Sequence, residues 1–231
     1  MVQLKALVKR AKGQRVREQK VPRPTVNEIL QARAAEQSAD FIADHLAHSL
    51  LMNRVPAIRD YAIRNAPAEG LILELGVYKA VGINQFADVL ARKGDRRTLY
   101  GFDAFEGLSE DWFGKALAAK TAFDLKGRPP KVRSNVSLII GWVEDTLDKF
   151  LADHPEPVAF VHMDTDTYSP CRYALERLRP RMAEGALILF DEHHGYPNWQ
   201  NGEFRALNEV FEPSEYRYRA FAPQQALIQI G

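Results

Sequence analysis

Two pairs of acidic residues each follow an apolar run in this chain. Asp164 and Asp166 lie in the stretch FVHMDTDTYSP, and Asp191 and Glu192 lie in ALILFDEHHGY. Carboxylates held this close repel each other unless a positive charge lies between them. Carboxylate oxygens suit Mg²⁺ or a similar hard cation, and such a cation lowers the pKa of a hydroxyl that it binds. The pairs therefore predict a site that binds a divalent cation and activates a hydroxyl group.

One histidine next to the second pair is a candidate for proton transfer. His193 follows Glu192 directly, and histidine can bind a metal or take up a proton near neutral pH. The sequence DEHH lacks the i, i+4 spacing of a helical zinc site. We predict a catalytic role for His193, and the alternative is an ordinary histidine of a surface loop.

The apolar runs before these acids are typical of buried parallel strands, which are apolar on both faces. We predict strands at 71–75, 98–103, 136–142, 158–164 and 185–191, helices around 41–50, 55–65, 82–93, 144–154, 169–182 and 202–211, and a hairpin at 216–222 and 225–230. Ser169 is expected to cap the helix that begins with Pro170. Alternating strands and helices indicate an α/β fold with a parallel sheet and helices on both faces. Ligands of such sheets bind at the carboxyl ends of the strands, where both acidic pairs lie.

The N-terminal part of the chain differs in charge from the rest. Residues 1–24 hold eight Lys or Arg residues and one acidic residue, whereas the whole 231-residue chain has a net charge of +1. We expect residues 1–24 to form a basic arm that is solvated rather than bound to nucleic acid or a membrane. Residues 25–69 are predicted to form a helical cap region, and residues 70–231 to form the main α/β domain.

Composition limits the cellular context. Hydrophobic residues make up 46% of the chain and charged residues 26%, as is usual for a globular protein. No apolar run approaches about 18 residues, and the arm has no signal-peptide core, so we expect neither membrane insertion nor secretion. The one cysteine excludes an internal disulfide bond and fits a reducing cytoplasm. We expect a cytoplasmic homo-oligomer, such as a dimer, that does not bind nucleic acid.

The segment LELGVYKAVG, residues 73–82, has features of a cofactor-binding turn. Gly76 allows the backbone to turn tightly and to approach a ligand. Tyr78 occupies the place of the second glycine in a dinucleotide fingerprint, which argues against NAD or FAD. Glu74 suits a cofactor with an ammonium group, although an ordinary strand-to-helix turn explains the same segment.

Two residues at the ends of the next strands complete the candidate cofactor site. Asp103 can accept hydrogen bonds from both hydroxyls of a ribose, or it can cap a turn. Trp142 can lie against an adenine ring, or it can pack in the core. A ribose acceptor, a flat apolar surface and an acceptor for an amino group together describe S-adenosylmethionine better than a dinucleotide.

The chain resembles the macrocin O-methyltransferase-like family of class I S-adenosylmethionine-dependent methyltransferases in five ordered segments. These are ELGVYKAVGIN, GFDAFEGLSEDW, GWVEDTL, FVHMDTDTYSP and LFDEHHGYPNWQNGEFRALNEVF, and they cover about residues 70–231. The resemblance implies a Rossmann-like, seven-stranded, mostly parallel sheet whose last two strands form the antiparallel C-terminal hairpin, with an N-terminal helical extension. It also implies that residues 70–231 are the methyltransferase domain.

The resemblance assigns roles to individual residues. The expected cofactor contacts are Glu74, Gly76, Val77, Tyr78, Asp103, Ala104, Gly141, Trp142 and Asp164. The expected ligands of a divalent cation such as Mg²⁺ are Asp164, Asp191 and Glu192, where Glu192 replaces the usual Asp or Asn. Asp166 is then available as the general base, and the alternative is that it caps the following helix. Ala80 and Val81 stand where the family usually has glycines, and we expect their side chains to narrow the space beside the methionine tail.

The resemblance implies an enzyme that transfers a methyl group from S-adenosylmethionine to a hydroxyl of a small molecule, such as a sugar or a natural-product intermediate. Two alternatives stay open. The missing second glycine argues against a Rossmann-type NAD-binding oxidoreductase, and the clustered acids argue against a non-catalytic binding protein that has kept the fold. Residues 25–65 and the loop 105–130 are expected to cover the acceptor pocket. Phe105, Trp112 and Phe113 are expected to form an apolar lid, unless they pack in the core.

Overall fold

The structure is a computed structural model that describes residues 23–112 and 121–231. The predicted basic arm up to residue 22, and Phe113 of the predicted lid, lie outside the described residues. The helices of the described part are α1 (Val26–Ala43), α2 (Val55–Asn65), α3 (Val81–Lys93), α4 (Val143–Asp153), α5 (Tyr168–Leu178) and α6 (Glu203–Val210). The strands are β1 (Leu50–Leu51), β2 (Leu71–Leu75), β3 (Leu99–Asp103), β4 (Val136–Ile140), β5 (Val158–Met163), β6 (Met182–Phe190), β7 (Tyr216–Phe221) and β8 (Ala226–Ile230). No helix in these ranges combines the length and the apolar character that spanning a membrane requires.

These strands form a sheet in the order β1-β7-β8-β6-β5-β2-β3-β4. Neighbouring strands pair in parallel, except that β8 runs antiparallel to both β6 and β7. The sheet confirms the predicted α/β fold with its antiparallel C-terminal hairpin. The strand order reverses at β2, which pairs with β3 on one side and with β5 on the other. At such a reversal the loops at the carboxyl ends diverge and leave a crevice for a ligand.

Helices cover both faces of the sheet, and each covered face is a hydrophobic core. On one face, Leu73 and Leu75 of β2 belong to a core that α4, α5 and α6 complete. On the other face, Ile72 packs with α2 and α3. Side chains alternate between the two faces of a strand, so every residue of β2 is buried and the strand has no solvent-facing side.

The predicted helix around residues 41–50 agrees with the structure only at residues 41–43, where α1 ends. The apolar residues keep their three- to four-residue spacing past the end of α1, but the backbone there forms turns instead of an α-helix. In these turns an N–H donates to the carbonyl three residues earlier, as from His45 to Ile42 (2.9 Å). The chain then forms β1, which pairs in parallel with β7. The edge of a sheet offers unpaired backbone groups, and β1 uses them to add an eighth strand to the seven expected.

The helix after β5 also begins and ends earlier than predicted. Thr167 lies at the N-cap, whereas Ser169 donates hydrogen bonds from its N–H (2.9 Å) and its hydroxyl (2.8 Å) to the carboxylate of Glu110. The helix α5 ends at Leu178 because Pro180 follows in a short 3₁₀ turn and its ring cannot continue the α-helical hydrogen bonds. The contact of Glu110 joins the loop after β3 to the start of α5.

Candidate functional site

The turn after β2 is fixed by the close approach of two strands. Gly76 has a φ of 92°, and a Cβ at this position would lie 1.8 Å from the carbonyl oxygen of Asp164. The N–H of Gly76 donates a hydrogen bond to the carbonyl of Phe102 (2.9 Å). Only glycine accepts both this backbone conformation and this contact, so Gly76 allows the ends of β2 and β5 to come together.

Asp103, at the end of β3, holds the same turn from the other side. Its Oδ2 accepts hydrogen bonds from the N–H groups of Val77 (2.8 Å) and Tyr78 (2.7 Å). Its Oδ1 accepts a hydrogen bond from the N–H of Phe105 (2.6 Å) and has a second lone pair for a further donor. Asp103 therefore shapes the turn and keeps the capacity for the predicted ribose contact.

A cavity, here called the first cavity, opens at the carboxyl ends of the central strands. Its lining includes the predicted site residues Gly76, Tyr78, Asp103, Ala104, Gly141, Trp142, Asp164, Asp166, Asp191 and Glu192. The loop after β3 adds Gly107, Leu108, Ser109 and Phe123 to the wall. The structure thus brings together most of the residues that the sequence assigns to a cofactor and a cation.

Glu74 does not line the first cavity, so its predicted cofactor contact needs correction. Its side chain alternates with those of Leu73 and Leu75, lies on the α3 side of the sheet and is 1% exposed. Its Oε1 accepts a hydrogen bond from the N–H of Ile83 (3.1 Å) in the first turn of α3. A carboxylate at a helix N-terminus interacts favourably with the helix dipole, so Glu74 supports the helix that follows the turn.

Other residues near the turn also differ from expectation. Val77 contributes its N–H to Asp103, but its side chain is buried in the core. Ala80 is buried and Val81 is 70% exposed. Neither of them lines the first cavity, so they do not narrow it as expected. Phe105 packs in the hydrophobic core rather than in a lid.

His193 lies outside the first cavity, so its predicted catalytic role also needs correction. Its N–H donates to the carbonyl of Gln224 (2.8 Å), which turns the residue towards the C-terminal hairpin. The ring is fully buried, packs against Phe41, and has Nε2 3.1 Å from the hydroxyl of Tyr218. Burial holds the pKa of His193 well below its usual range, which favours the neutral ring.

A buried histidine that the sequence analysis missed lies between two carboxylates. His162 on β5 is the register partner of Glu74 on β2, and its Nδ1 lies 3.4 Å from Oε2 of Glu74. Its Nε2 lies 3.1 Å from Oδ1 of Asp191. A neutral imidazole has one N–H, so only the protonated ring can serve both carboxylates. Burial lowers the pKa of His162, but the hydrogen bond to Asp191 and the nearby charge of Glu74 outweigh it and raise the pKa to about 9.

Arg59 of α2, also missed, reaches the end of β6 from the cap region. Its Nη2 donates to Oδ1 of Asp191 at 2.7 Å, and the side-chain amide of Gln225 donates to the same oxygen. Burial alone would raise the pKa of Asp191, but the hydrogen bonds and positive charges of His162 and Arg59 lower it below its usual range. Asp191 is therefore an ionised carboxylate held by two cations.

The carboxylates of the first cavity form two compact groups. One group is His162, Asp164 and Asp191, and the other is Asp164, Asp166 and Glu192, with the candidate ligand atoms of each group within 4.8 Å of one another. The predicted cation ligands Asp164, Asp191 and Glu192 are thus divided between the two groups. The second group offers only oxygen atoms, which fits a hard divalent cation. Burial and the charge of Asp191 raise the pKa of Asp164 well above its usual range, as expected where carboxylates crowd.

Asp166 occupies a strained position between two cavities. Its φ is 63°, in the left-handed region, which Asp tolerates better than most residues. Strained conformations of this kind persist where the surrounding structure holds them, often at functional sites. Asp166 lines the first cavity and also a second cavity. The second cavity is lined by Glu110, Asp111, Trp112, Asp166, Thr167, Tyr168, Tyr196, Asn198, Asn201, Gly202 and Arg205.

The residues that line the second cavity differ from those that the sequence predicts to cover the acceptor pocket. Residues 25–65 line neither of the two cavities, whereas 110–112 of the predicted loop line the second. The segment 196–205 supplies the opposite wall and was not assigned a role. The aromatic and amide side chains of this segment could have indicated a binding site in the sequence, but such residues are also common in loops that bind no ligand.

Comparison with known proteins places the chain in a family. A family model described as a methyltransferase domain matches residues 73–193. A solved structure of CalS11, a calicheamicin methyltransferase, is 22% identical, with a TM-score of 0.64 over 92% of this chain and 88% of that chain. An apo structure of CalS11, named as a TDP-rhamnose 3'-O-methyltransferase in calicheamicin biosynthesis, is 23% identical, with a TM-score of 0.56 over 85% and 80%. The O-methyltransferase NovP is 17% identical, with a TM-score of 0.58 over 76% and 78%.

At these identities the solved structures establish a shared fold. No curated protein sequence matches the chain. The family match itself spans more than half of the chain and includes the turn after β2, Asp103, Trp142 and both acidic pairs. It decides against the NAD-binding oxidoreductase and the non-catalytic protein. The chain therefore belongs to the family of proteins that carry this methyltransferase domain.

Proposed function

We propose that the protein methylates a hydroxyl group of a small molecule, with the methyl donor in the first cavity and the acceptor in the second. The observation that carries this proposal is the position of Asp166 in the walls of both cavities. A group that removes a proton during methyl transfer must reach the acceptor while it borders the donor site. Asp166 meets this requirement.

The first cavity has the features that S-adenosylmethionine requires. Asp103 offers a carboxylate oxygen to the ribose hydroxyls, and Trp142 offers a flat ring beside the adenine. Carboxylates in the wall of this cavity, when ionised, favour a donor that carries a sulfonium charge. The demethylated product lacks that charge, so the same acids favour its release.

The second cavity suits a polar ring with several hydroxyls. Trp112, Tyr168 and Tyr196 supply aromatic rings, and Asn198 and Asn201 supply amides. Flat apolar faces with a few hydrogen-bonding groups are typical of small-molecule sites that bind a ring and fix its orientation. The likeness to CalS11, named as a TDP-rhamnose methyltransferase, supports a sugar as the acceptor ring.

In this arrangement the residues of the chain act on the acceptor hydroxyl. S-adenosylmethionine, when bound, supplies an electrophilic methyl group. The carboxylate of Asp166 takes the proton of the hydroxyl, so that the oxygen becomes a stronger nucleophile. The tight turn around Asp166 is closed by a hydrogen bond from the N–H of Thr167 to the carbonyl of Thr165 (2.6 Å), which restrains the backbone that carries this carboxylate. A divalent cation held by Asp164 and Glu192 would lower the pKa of the hydroxyl further.

The experiment is a transfer assay with S-adenosylmethionine labelled in the methyl group. The purified protein is incubated with nucleotide sugars, free sugars, catechols and small amines, and the products are identified by mass spectrometry and NMR. We expect methylation at oxygen, with sugars preferred over catechols. Transfer to nitrogen alone would contradict the proposal, as would binding of S-adenosylhomocysteine without transfer to any hydroxylated acceptor.

A further inference from the structure

Phe123 lies in the wall of the first cavity with its backbone in an unfavourable conformation. Its φ is 65°, in the left-handed region where a bulky residue is a clear outlier, and the residue is 38% exposed. A ring that stays partly exposed buries less apolar area than a core residue does, so it contributes less to the stability of the fold. Strained residues of this kind occur often where a ligand binds. Phe123 is therefore a candidate for a binding role.

Backbone hydrogen bonds attach the turn that carries Phe123 to the core. The N–H groups of Leu125 (3.0 Å) and Gly127 (2.9 Å) both donate to the carbonyl of Phe105. Phe105 is itself buried in the hydrophobic core on the α3 side of the sheet. These contacts hold the strained backbone of Phe123 in place and keep its ring in the wall of the cavity.

The ring of Phe123 contacts one aromatic ring of each cavity. It meets Tyr78 of the first cavity edge to face, with ring centroids 5.1 Å apart. It also meets Trp112 of the second cavity, with ring centroids 6.4 Å apart. Trp112 in turn meets Tyr196 of the second cavity edge to face at 5.9 Å. Aromatic pairs at these separations attract each other and restrict each other's orientation, so Phe123 joins the walls of the two cavities.

We propose that Phe123 binds the methyl donor, and that Trp112 positions the ring of Phe123 from the wall of the second cavity. A flat apolar ring in a cavity wall supplies contact area at a low cost in side-chain entropy, because it has only two rotatable bonds. Trp112 lines the second cavity and not the first, so its effect on the donor passes through Phe123. The proposal rests on the donor site of the proposed function. Donor binding is measured without an acceptor, however, so this proposal and the proposed methyl transfer can fail separately.

The first test is isothermal titration calorimetry of the full-length protein with S-adenosylhomocysteine. We expect Phe123→Ala and Phe123→Gly to raise the dissociation constant about ten-fold or more, and Phe123→Tyr, which keeps the ring, to change it less than about three-fold. Glycine accepts a φ of 65° and alanine does not, so Phe123→Gly should melt about 2–4 °C above Phe123→Ala although both lose the same affinity.

The matched control for this set is Lys126→Gly. Lys126 has a φ of 58° in the same turn and lines neither cavity, so this variant relieves the same kind of strain and adds the same flexibility. It should bind S-adenosylhomocysteine as the wild type does. Wild-type affinity in Phe123→Ala or Phe123→Gly would overturn the contact of Phe123 with the donor, as would an equal loss of affinity in Lys126→Gly.

The second test is a double-mutant cycle between Trp112 and Phe123. Trp112→Leu should raise the dissociation constant for S-adenosylhomocysteine about five-fold in the wild type and less than about two-fold in Phe123→Ala, because a positioning residue acts only through the ring that it positions. Trp199→Leu disturbs the same buried aromatic cluster and should leave the constant unchanged.

Thermal melting checks the fold of each variant, and Trp112→Phe replaces Trp112→Leu if the latter unfolds. The smaller ring of Trp112→Phe should shift the constant in the same direction and should again have less effect in Phe123→Ala. Equal effects of the Trp112 variant in the two backgrounds, or no effect in the wild type, would overturn the positioning role of Trp112.

Discussion

Glu74 and His162 stand opposite each other on the neighbouring parallel strands β2 and β5, with Oε2 and Nδ1 3.4 Å apart and both side chains buried. His162 continues this contact to Asp191, and Asp191 continues it to Arg59. Charges alternate in sign along this row, so each buried ion has an opposite neighbour. The row ties α3, which follows the turn after β2, to Asp191 at the end of β6 and to α2.

The first prediction concerns the pH dependence of stability. The pKa of His162 is raised from 6.5 to about 9 in the folded state. The contribution of His162 to the free energy of unfolding should be complete below about pH 6.5 and should be lost as the pH rises through 9. We expect a loss in the free energy of unfolding on the order of 3 kcal/mol over that range, measured by urea denaturation.

Two substitutions make this measurement specific. His162→Gln should remove most of the decline between about pH 6.5 and 9, because no imidazolium is then present. His48→Gln replaces an exposed histidine and should keep the wild-type decline. Equal declines in the wild type and His162→Gln would show that the histidine is not charged between its two carboxylates.

The second prediction concerns the close approach at Gly76. A Cβ there would collide with the carbonyl of Asp164, and the φ of 92° is unfavourable for any other residue. Gly94 has a φ of 72°, but a Cβ there would have no atom within 4 Å, so it is a matched control for backbone strain alone. Gly94→Ala should cost about 1 kcal/mol, and Gly76→Ala should cost at least about twice as much. Calorimetric melting compares the two, and equal losses would mean that the collision is relieved elsewhere.

The acids at the strand ends could be predicted from the sequence because apolar runs mark buried parallel strands. Asp103 and Asp164 follow such runs, and the carboxyl ends of the strands meet at one edge of the sheet, so both line the first cavity. When both faces of a strand are buried, the sequence does not show to which face each side chain points. The prediction for Glu74 fails for this reason, since alternation turns its side chain away from the cavity.

The row of alternating charges from Glu74 through His162 and Asp191 to Arg59 could be predicted only in part from the sequence. Glu74 and His162 each interrupt an apolar run, and a charged residue in such a run is buried only with a partner. Arg59 carried no such signal, because arginines of amphipathic helices usually face solvent and its partner lies 132 residues away. His193 was misjudged because the tertiary contact with the hairpin, rather than its neighbours in sequence, decides where its ring lies.

The third prediction concerns the contact of Asp103 with the cofactor. Asp103→Ala removes a charged acceptor and the hydrogen bonds that hold the turn. We expect the affinity for S-adenosylhomocysteine to fall by roughly 1.5–3 kcal/mol, as measured by isothermal titration calorimetry. The control is Glu69→Ala, an exposed acid before the amino end of β2, which should bind as the wild type does. Equal affinities for Asp103→Ala and Glu69→Ala would remove Asp103 from the cofactor site.

The fourth prediction uses tryptophan fluorescence to locate the adenine. Trp142 lines the first cavity and is partly exposed, whereas Trp199 is buried in a separate aromatic cluster at 3% exposure. A purine that stacks on an indole changes its emission, so S-adenosylhomocysteine should alter the fluorescence of the wild type. This change should be lost in Trp142→Phe and kept in Trp199→Phe. The opposite pattern would mean that the adenine lies elsewhere.

The fifth prediction, for Asp166→Asn, tests most directly that methyl transfer takes place where the two cavities meet. Asn adopts the left-handed conformation with a φ of 63° as readily as Asp, so the fold should be unchanged. The measurement is the rate of labelled methyl transfer to the best hydroxylated acceptor, together with the affinity for S-adenosylhomocysteine. We expect the rate to fall about 10²- to 10⁴-fold, the usual contribution of a positioned base, while the affinity for S-adenosylhomocysteine is retained. A rate within about three-fold of the wild type would contradict the proposal that Asp166 removes the proton of the acceptor.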